Sequence, residues 1–359
     1  MHLSKNMKFL KTKTKQVMKK VFVAMAAVAA MACSCSKEEI AREEIPLQES
    51  ELHISFVNDA ATRATGQGHG VQSDDNYLST LEIFVFRENE GGVDDGMLDG
   101  DKKYTGDELK NLSRISLKTT TGKKLIYAIA NSHNTDWSGG VTREKVEQLM
   151  AYLHKEDVRK FIMFASTVVT LQATTTVSMV LTRMVSRVAL NSVQVSFTGT
   201  PFEGVPLQNV KAYLTNVQAQ KNLLTGVGTN LKVLNSKKYV PEDMIGITMQ
   251  GLLYDELAES ITESTYSTPH FFYCYENNRN VETEDDRFTR LVIEGTLNGI
   301  TYYYPIAIKN LERNSCYSVD VKICRPGSLD PDKDVEYGTL DLRFSVESWN
   351  SIPGSVVEF

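Results

Sequence analysis

The sequence predicts a mainly β protein of two β-sandwich domains with one or two short helices, preceded by a removable export signal. Its 359 residues exceed what one hydrophobic core usually fills, so two domains of ordinary size are favoured. With 42% hydrophobic, 23% charged and 9% aromatic residues, the composition is typical of a globular chain. Short apolar runs bounded by glycine, asparagine, aspartate or serine recur along the sequence, and this pattern is typical of β-strands.

The first 34 residues have the features of a secretory signal peptide. All seven charged residues among them are lysines, and Lys19-Lys20 precede twelve apolar residues, Val21–Ala32. This apolar run is shorter than the roughly 20 residues that a membrane-spanning helix needs. Removing residues 1–34 takes the formal charge from −6 to about −13, so the basic residues indicate export and not a nucleic-acid surface.

Two cysteines that follow the apolar run indicate a bacterial lipoprotein, in which a cysteine after small residues is acylated and becomes the new N-terminus. Cys35 is the predicted palmitate-bearing residue, and Cys33 is the alternative because small residues precede it too. The next residues, 36–39, resemble the lysine-plus-acidic signal that sends some lipoproteins to the outer face of the outer membrane. Because acyl chains contribute about 0.8 kcal/mol per buried methylene, two or three of them anchor a protein durably.

A charged linker over residues 35–50 leads into a first predicted domain over residues 51–189. Alternating apolar and polar residues predict a half-buried strand over Leu52–Val57, whose apolar members are Leu52, Ile54 and Phe56. More continuous apolar runs predict the buried strands Leu81–Phe86 and Leu125–Ala130. Apolar residues at helical spacing predict a helix over residues 142–161 that Thr142 caps, and a strand over Thr174–Val188 ends the domain.

The second predicted domain covers residues 190–359 and begins near residue 189, where one strand system passes into the next. Asn298-Gly299 is a hairpin signal, because both residues tolerate the positive φ of a tight turn, so the strands around it are predicted to pair. Further strands are predicted by short apolar runs at Asn191–Phe197, Val210–Val217, Phe271–Tyr275, Leu291–Leu297, Gly299–Ile308, Tyr317–Ile323 and Gly338–Val346.

Three cysteines remain after the signal, in a compartment where disulfides form. Cys316 and Cys324 lie on one predicted strand, too far apart along it to bond each other, whereas a bridge from Cys274 to either stays open. Three buried thiols are the favoured interpretation, and without a CxxC or Cys/His cluster no metal site is predicted.

No catalytic motif is found, so neither an enzyme nor a cofactor is predicted. The six histidines are scattered singly, and the chain contains neither a GxSxG nucleophile elbow nor a phosphate-binding GxxxxGK[ST] loop. An acidic, glycine-rich segment contains Asp94, Asp95, Asp99 and Asp101. Its spacing departs from the EF-hand pattern at Tyr104, so a solvated loop is favoured over a calcium site.

A series of short motifs, in this order, resembles the fimbrillins, the FimA-type subunits of type V pili made by anaerobic gut and oral bacteria. No single motif is diagnostic, and the order and spacing along residues 50–359 carry the resemblance. The motifs are the lipoprotein signal, Leu52–Val57 followed by Thr62-Arg63-Ala64-Thr65, Lys124–Asn131, Leu181–Leu190, Phe272–Asn277, Tyr303-Tyr-Pro305 and Arg313–Tyr317.

The resemblance implies two transthyretin-like β-sandwich domains and a structural subunit of a cell-surface fimbrium. In this family, an arginine-specific or trypsin-like protease cuts after an arginine in the first loop and releases the first strand. The matching arginine is Arg63, so cleavage between Arg63 and Ala64 would remove residues 51–63, with Leu52, Ile54 and Phe56, together with the lipid anchor.

The resemblance also implies polymerisation with other pilus subunits, because the C-terminal segment of one subunit fills the groove left in the next. Here that donor segment is about residues 342–359, with the apolar residues Phe344, Val346, Trp349, Val356 and Phe359. A stalk subunit is favoured. The alternatives are a tip adhesin or an anchor subunit of the same pilus, or a monomeric surface lipoprotein that binds a glycan or another host or bacterial surface ligand.

Overall fold

The structure is a computed structural model that describes residues 47–56, 77–109, 115–134, 136–225, 233–234, 252–283, 286–335 and 338–348. These residues form many β-strands in several sheets and very little helix, which confirms the predicted mainly β fold.

The N-terminal half of the described chain contains ten strands, one short α-helix and two 3-10 segments. The strands are β1 Glu49–Phe56, β2 Thr80–Arg87, β3 Leu98–Thr105, β4 Ile115–Thr120, β5 Gly122–Ala130, β6 Met150–Tyr152, β7 Met163–Leu171, β8 Thr174–Met179, β9 Thr182–Arg183 and β10 Val185–Val195. The helix α1 is Arg143–Glu147, and the 3-10 segments are residues 106–109 and Leu153–Lys155.

Two of the sheets share one buried core. The first, the β1 sheet, has the strand order β4-β1-β8, and the second, the β2 sheet, has the order β3-β2-β5-β7-β9. Apolar residues of both sheets belong to a single buried cluster, including Leu52 and Ile54 of β1, Ile83 of β2 and Ile126 of β5. The alternation of β1 therefore directs its apolar side chains toward the β2 sheet.

The C-terminal half contains eleven further strands. They are β11 Leu207–Thr215, β12 Val217–Gln218, β13 Gln220–Asn222, β14 Val233–Leu234, β15 Tyr254–Ile261, β16 Thr265–Tyr266, β17 His270–Tyr275, β18 Thr289–Leu297, β19 Ile300–Ile308, β20 Ser315–Ile323 and β21 Leu340–Ser348. The β10 sheet has the order β16-β10-β20-β21 with β17 also paired to β10, and the β11 sheet has the order β15-β11-β18-β19.

The β18–β19 hairpin turns at the predicted Asn-Gly pair. Asn298 has φ 49° and Gly299 has φ 84°, the conformation that a two-residue hairpin turn requires. Leu297 pairs with Ile300 across the turn, so the register of the two strands is set next to it.

The predicted helix over residues 142–161 is only partly correct. Thr142 does cap its start, because the Thr142 hydroxyl accepts a hydrogen bond from the Lys145 amide at 3.3 Å. The helix ends at Glu147, however, where the Asn222 side-chain amide donates to the Glu147 carbonyl at 2.7 Å. Strand β13 then pairs with β6, so a partner distant in sequence replaces further helical turns with a strand.

The boundary predicted near residue 189 falls inside β10, which runs without a break from Val185 to Val195. The division into two domains stays a prediction.

The strand predicted over Thr174–Val188 is not one continuous strand. Strand β8 ends at Met179 in the β1 sheet, and β9 then joins the β2 sheet. An alternating pattern does not show that a chain crosses from one sheet to another.

The three cysteines after the signal are thiols in the structure, but their burial differs from the prediction. Cys274 is fully buried, and burial raises the pKa of its thiol well above the ordinary value. Cys316 and Cys324 are only partly buried, because on β20 and directly after it they lie on the face opposite the core residues Tyr317, Val319 and Ile323.

Candidate functional site

Strand β1 is the middle strand of its sheet. It runs antiparallel to β4, with Leu52 opposite Leu117, and parallel to β8, with Ile54 opposite Val177. Its backbone therefore has hydrogen-bonded neighbours on both sides. In the part of the chain that the structure describes, β4 and β8 have no other strand partner, so β1 joins them into a sheet.

The three residues predicted to fill a groove lie on the buried face of β1. Leu52 and Ile54 are 0% exposed and Phe56 is 6% exposed. Full burial of a leucine, isoleucine or phenylalanine side chain contributes about 1.5–3 kcal/mol to stability. The departure of β1 would therefore open an apolar trough between β4 and β8 that is costly to leave in water.

Backbone pairing and apolar burial hold β1, and side-chain hydrogen bonds add little. The Ser50 hydroxyl donates to the Gln172 carbonyl at 2.5 Å, and the Ser55 and Ser178 hydroxyls lie 3.0 Å apart. Any extended segment with apolar residues at alternate positions can supply a ladder and fill apolar pockets in the same way. This site is therefore suited to bind an extended polypeptide segment.

Several predicted site residues lie outside the described residues. They are the lipidation candidates Cys33 and Cys35, the cleavage pair Arg63 and Ala64, and the tail residues Trp349, Val356 and Phe359. The described residues before the predicted cleavage pair end at Phe56, and those after it begin at Tyr77.

Two predicted donor residues, Phe344 and Val346, lie on β21 at the edge of the β10 sheet. They stand opposite Val319 and Tyr317 of β20, and both are only partly buried. Leu342 on the same strand is 41% exposed. Within its own chain, β21 thus covers the core of the β10 sheet incompletely.

A buried ion pair next to the β1 sheet was missed at the sequence level. Asp99, which the sequence placed in a solvated loop, is buried on β3, and its carboxylate lies 3.0 Å from the Lys124 ammonium and 3.0 Å from Arg87 Nε. Burial alone would raise the pKa of Asp99, but hydrogen bonds from Thr119, Thr120 and Lys124 outweigh it and hold the pKa far below its usual range. The pairing of β3 with distant strands brings these groups together, which local spacing cannot show.

A second buried polar cluster links Glu156, which follows the 3-10 segment Leu153–Lys155, to β17. The Glu156 carboxyl group is fully buried and accepts hydrogen bonds from the Tyr275 hydroxyl at 2.8 Å and the Ile162 amide at 3.2 Å. Burial raises the pKa of Glu156 to about 8, because those two hydrogen bonds offset only part of the desolvation. His133 Nε2 lies 3.8 Å from Glu156, and burial, with help from Lys155 and His154, lowers the pKa of His133 to about 4. Both groups are therefore neutral at pH 7.

Stability is expected to fall as pH rises from 6.5 to 8.5, because folded Glu156 keeps its proton up to about pH 8 while unfolded Glu156 has lost it. The slope contributed by this one proton is at most about 1.4 kcal/mol per pH unit. Below pH 6.5 the opposite shift of His133 cancels most of this effect. Urea unfolding of Glu156→Gln should show a flatter dependence above pH 6.5 than the parent chain.

The matched control for this measurement is Glu147→Gln, which removes a partly exposed carboxylate that accepts from the Tyr127 hydroxyl at 2.8 Å. This variant should keep the parent's pH dependence. Equal slopes for both glutamine variants would contradict the assignment to Glu156.

None of the helices in the described ranges is long and apolar enough to cross a bilayer. Across the same ranges, no group of three histidine, cysteine, aspartate or glutamate side chains is placed to hold a metal ion.

Comparisons with known proteins point to one family. The family model for the major fimbrial subunit protein (FimA) matches residues 50–231, which include all of β1 except Glu49 and the whole β2 sheet. The major fimbrium subunit FimC of Porphyromonas gingivalis is 25% identical over 334 residues, covering 89% of this chain and 67% of that protein.

Solved structures show the same fold at low identity. A fimbrilin (FimA) from Porphyromonas gingivalis W83 aligns with a TM-score of 0.54 and 14% identity, covering 84% of this chain and 97% of that one. A protein described as a cell adhesion protein from Bacteroides eggerthii aligns with a TM-score of 0.59 and 15% identity, covering 85% and 97%.

Proposed function

The chain belongs to the major fimbrial subunit (FimA) family, and on that premise we propose that it is a stalk subunit assembled by protease-triggered donor-strand exchange. A fimbrial subunit at the cell surface is what the family supports. The observation that carries the exchange mechanism is the central position of β1, whose removal would leave β4 and β8 without a ladder partner among the described residues. Unpaired strand edges bind other strands readily, so the vacated place is a binding site.

We propose that the precursor is exported and acylated at Cys35, or alternatively at Cys33, and reaches the outer membrane as a lipoprotein. A protease that recognises arginine then cuts between Arg63 and Ala64. The cut separates the mature subunit from residues 51–63 and the lipid together. The two domains, residues 51–189 and 190–359, would then enter the polymer without the first strand.

The strand that fills the vacated place is proposed to come from the end of another subunit, within about residues 342–359. Leu342, Phe344 and Val346 alternate with polar residues, as Leu52, Ile54 and Phe56 do in β1. A second apolar group, Val356, Val357 and Phe359, follows after Pro353-Gly354. Because donor and groove are different surfaces, each added subunit exposes a new groove or donor, and the contact propagates as a filament.

Replacing Arg63 with alanine tests the first step. The variant should accumulate as an acylated precursor that retains residues 36–63 and should form no high-mass ladder on denaturing gels without boiling. Arg42→Ala is the matched control, because cleavage there would free the lipid but leave β1 in place, and this variant should polymerise normally. Arg63→Lys distinguishes the two classes of protease, since a trypsin-like enzyme cuts after lysine and an arginine-specific enzyme does not.

Normal ladders from Arg63→Ala would overturn the exchange mechanism. Mass spectrometry of the parent chain taken from the cell surface shows separately whether the mature chain has lost the lipid and residues 36–63. Mature chains that keep the lipid and residues 36–63 would instead support the monomeric surface lipoprotein that binds a glycan or another ligand.

A further inference from the structure

Departure of β1 creates a structural problem for β4. Strand β4 loses its strand partner, because among the described residues it pairs with β1 alone. Its C-terminal end passes through Thr121 directly into β5 and so remains attached to the β2 sheet. Its N-terminal end, at Ile115, is separated from the end of β3 at Thr105 by nine residues of chain. An acceptor groove requires that this end also stay in place.

Asp99 of β3 holds the C-terminal end of β4 from the other sheet. One carboxylate oxygen accepts from the Thr120 amide at 2.9 Å and from the Thr120 hydroxyl at 2.8 Å, and it also accepts from the Thr119 hydroxyl. Lys124, only 1% exposed, lies 3.0 Å from the same oxygen and donates to the Thr120 hydroxyl at 3.0 Å. None of these bonds involves β1, so its departure breaks none of them.

Tyr104 of β3 holds the N-terminal end of β4. Its hydroxyl donates to the Ser116 carbonyl at 2.7 Å, and the side chain is 4% exposed. Between the two contacts, Gly100 lets β3 approach β4 closely, because a Cβ there would lie 3.0 Å from the Lys118 carbonyl oxygen. The side chains of β3 thus follow β4 over its length without pairing with it as a strand.

We propose that Asp99 and Tyr104, together the β3 clamp, keep β4 in position after β1 leaves and so keep the acceptor groove formed for the incoming strand. This inference rests on the proposed strand exchange. If β4 is ordered only part of the time, the apparent affinity for the incoming strand is reduced in proportion to the fraction of molecules in which the groove is formed. A wall that stays ordered avoids this loss. Asp99 and Tyr104 are positioning residues, because their hydrogen bonds to β4 do not involve the strand that occupies the groove.

The test uses the full chain with a specific protease site introduced within residues 57–76, cut so that the β1 fragment stays bound. A fluorescent peptide with the sequence of residues 47–56 then replaces the fragment, and anisotropy gives its affinity. Tyr104→Phe and Asp99→Asn should each weaken peptide binding about five- to tenfold, in line with the loss of one or more buried hydrogen bonds. Hydrogen exchange in residues 115–120, measured after β1 is displaced, should be at least about tenfold faster in both variants.

Two matched controls separate a positioning role from general stability. Tyr127→Phe removes a buried hydroxyl that bonds Glu147, and Asp94→Asn removes a carboxylate that pairs with Arg87 but does not contact β4 in the bonds described. Both controls should bind peptide within about twofold of the parent chain. If Asp99→Asn fails to fold before cutting, the peptide affinities of Tyr104→Phe and its control Tyr127→Phe are compared instead.

The outcomes distinguish the two proposals. A parent chain that never exchanges its fragment for peptide contradicts the strand-exchange function itself. A parent chain that exchanges, with all four variants binding peptide equally well, overturns the β3 clamp and leaves the exchange function standing.

Discussion

Replacing Ile54 with aspartate is expected to lower the free energy of unfolding by more than about 4 kcal/mol and to prevent the β1 sheet from forming. Ile54 is 0% exposed and stands between Ile115 of β4 and Val177 of β8. A carboxylate there has only apolar neighbours across the ladder, and burial of an unpaired charge is among the few changes that cost this much. Urea unfolding and limited proteolysis of the uncut chain measure the effect.

His53→Asp is the matched control, because it places the same charge one residue earlier on the opposite face of β1. The His53 side chain is 38% exposed, so this variant should change the stability by less than about 1 kcal/mol. A similar loss in both variants would show that β1 tolerates a charge no better on its outer face than on its inner face. That result would contradict the position of β1 in the core.

Replacing Arg290 with methionine is expected to cost about 1.5–3 kcal/mol, because it removes the hydrogen bonds of a buried guanidinium to charged groups, while Arg287 stays 3.1 Å from Glu282 and 3.2 Å from Asp332. Arg290 is 1% exposed, and its guanidinium binds both oxygens of Glu282, at 2.5 and 2.8 Å. It also lies 3.4 Å from Asp332 and 3.1 Å from Asp334. This network ties β18 to the segment that precedes β21, so chemical denaturation should show the loss and β21 should become more accessible to protease.

Arg279→Met is the control for that experiment. Arg279 is partly exposed and pairs with Asp286, whose side chain is 54% exposed, and such surface pairs contribute about 0–1 kcal/mol. Equal losses in Arg279→Met and Arg290→Met would contradict the assignment of a buried network to Arg290. If β21 stays protected from protease in Arg290→Met, the network does not stabilise that strand.

Features encoded by neighbouring residues could be predicted from the sequence. The Asn298-Gly299 turn follows from two residues that accept positive φ, and the alternation of β1 follows from residues two apart. The cap at Thr142 is equally local. The fold class was correct because it rests on such signals repeated along the chain.

Features set by distant residues could not be predicted in this way. The helix after Thr142 stops because Asn222 binds its carbonyl and β13 pairs with β6. Asp99 is buried because β3 brings it to Lys124, although its surroundings in the sequence are typical of a solvated loop. Glu156 and His133 likewise face each other only after the chain folds. In each case the sequence lacks any signal for the partner.

The central position of β1 also has a mechanical consequence. Its backbone bonds to β4 and β8 lie across the strand, on both sides. A pull along the strand therefore loads both ladders in shear, and they must yield together. A pull across the sheet would open them one bond after another. Any strand that occupies this place between subunits of a filament under tension would thus be loaded along its most resistant direction.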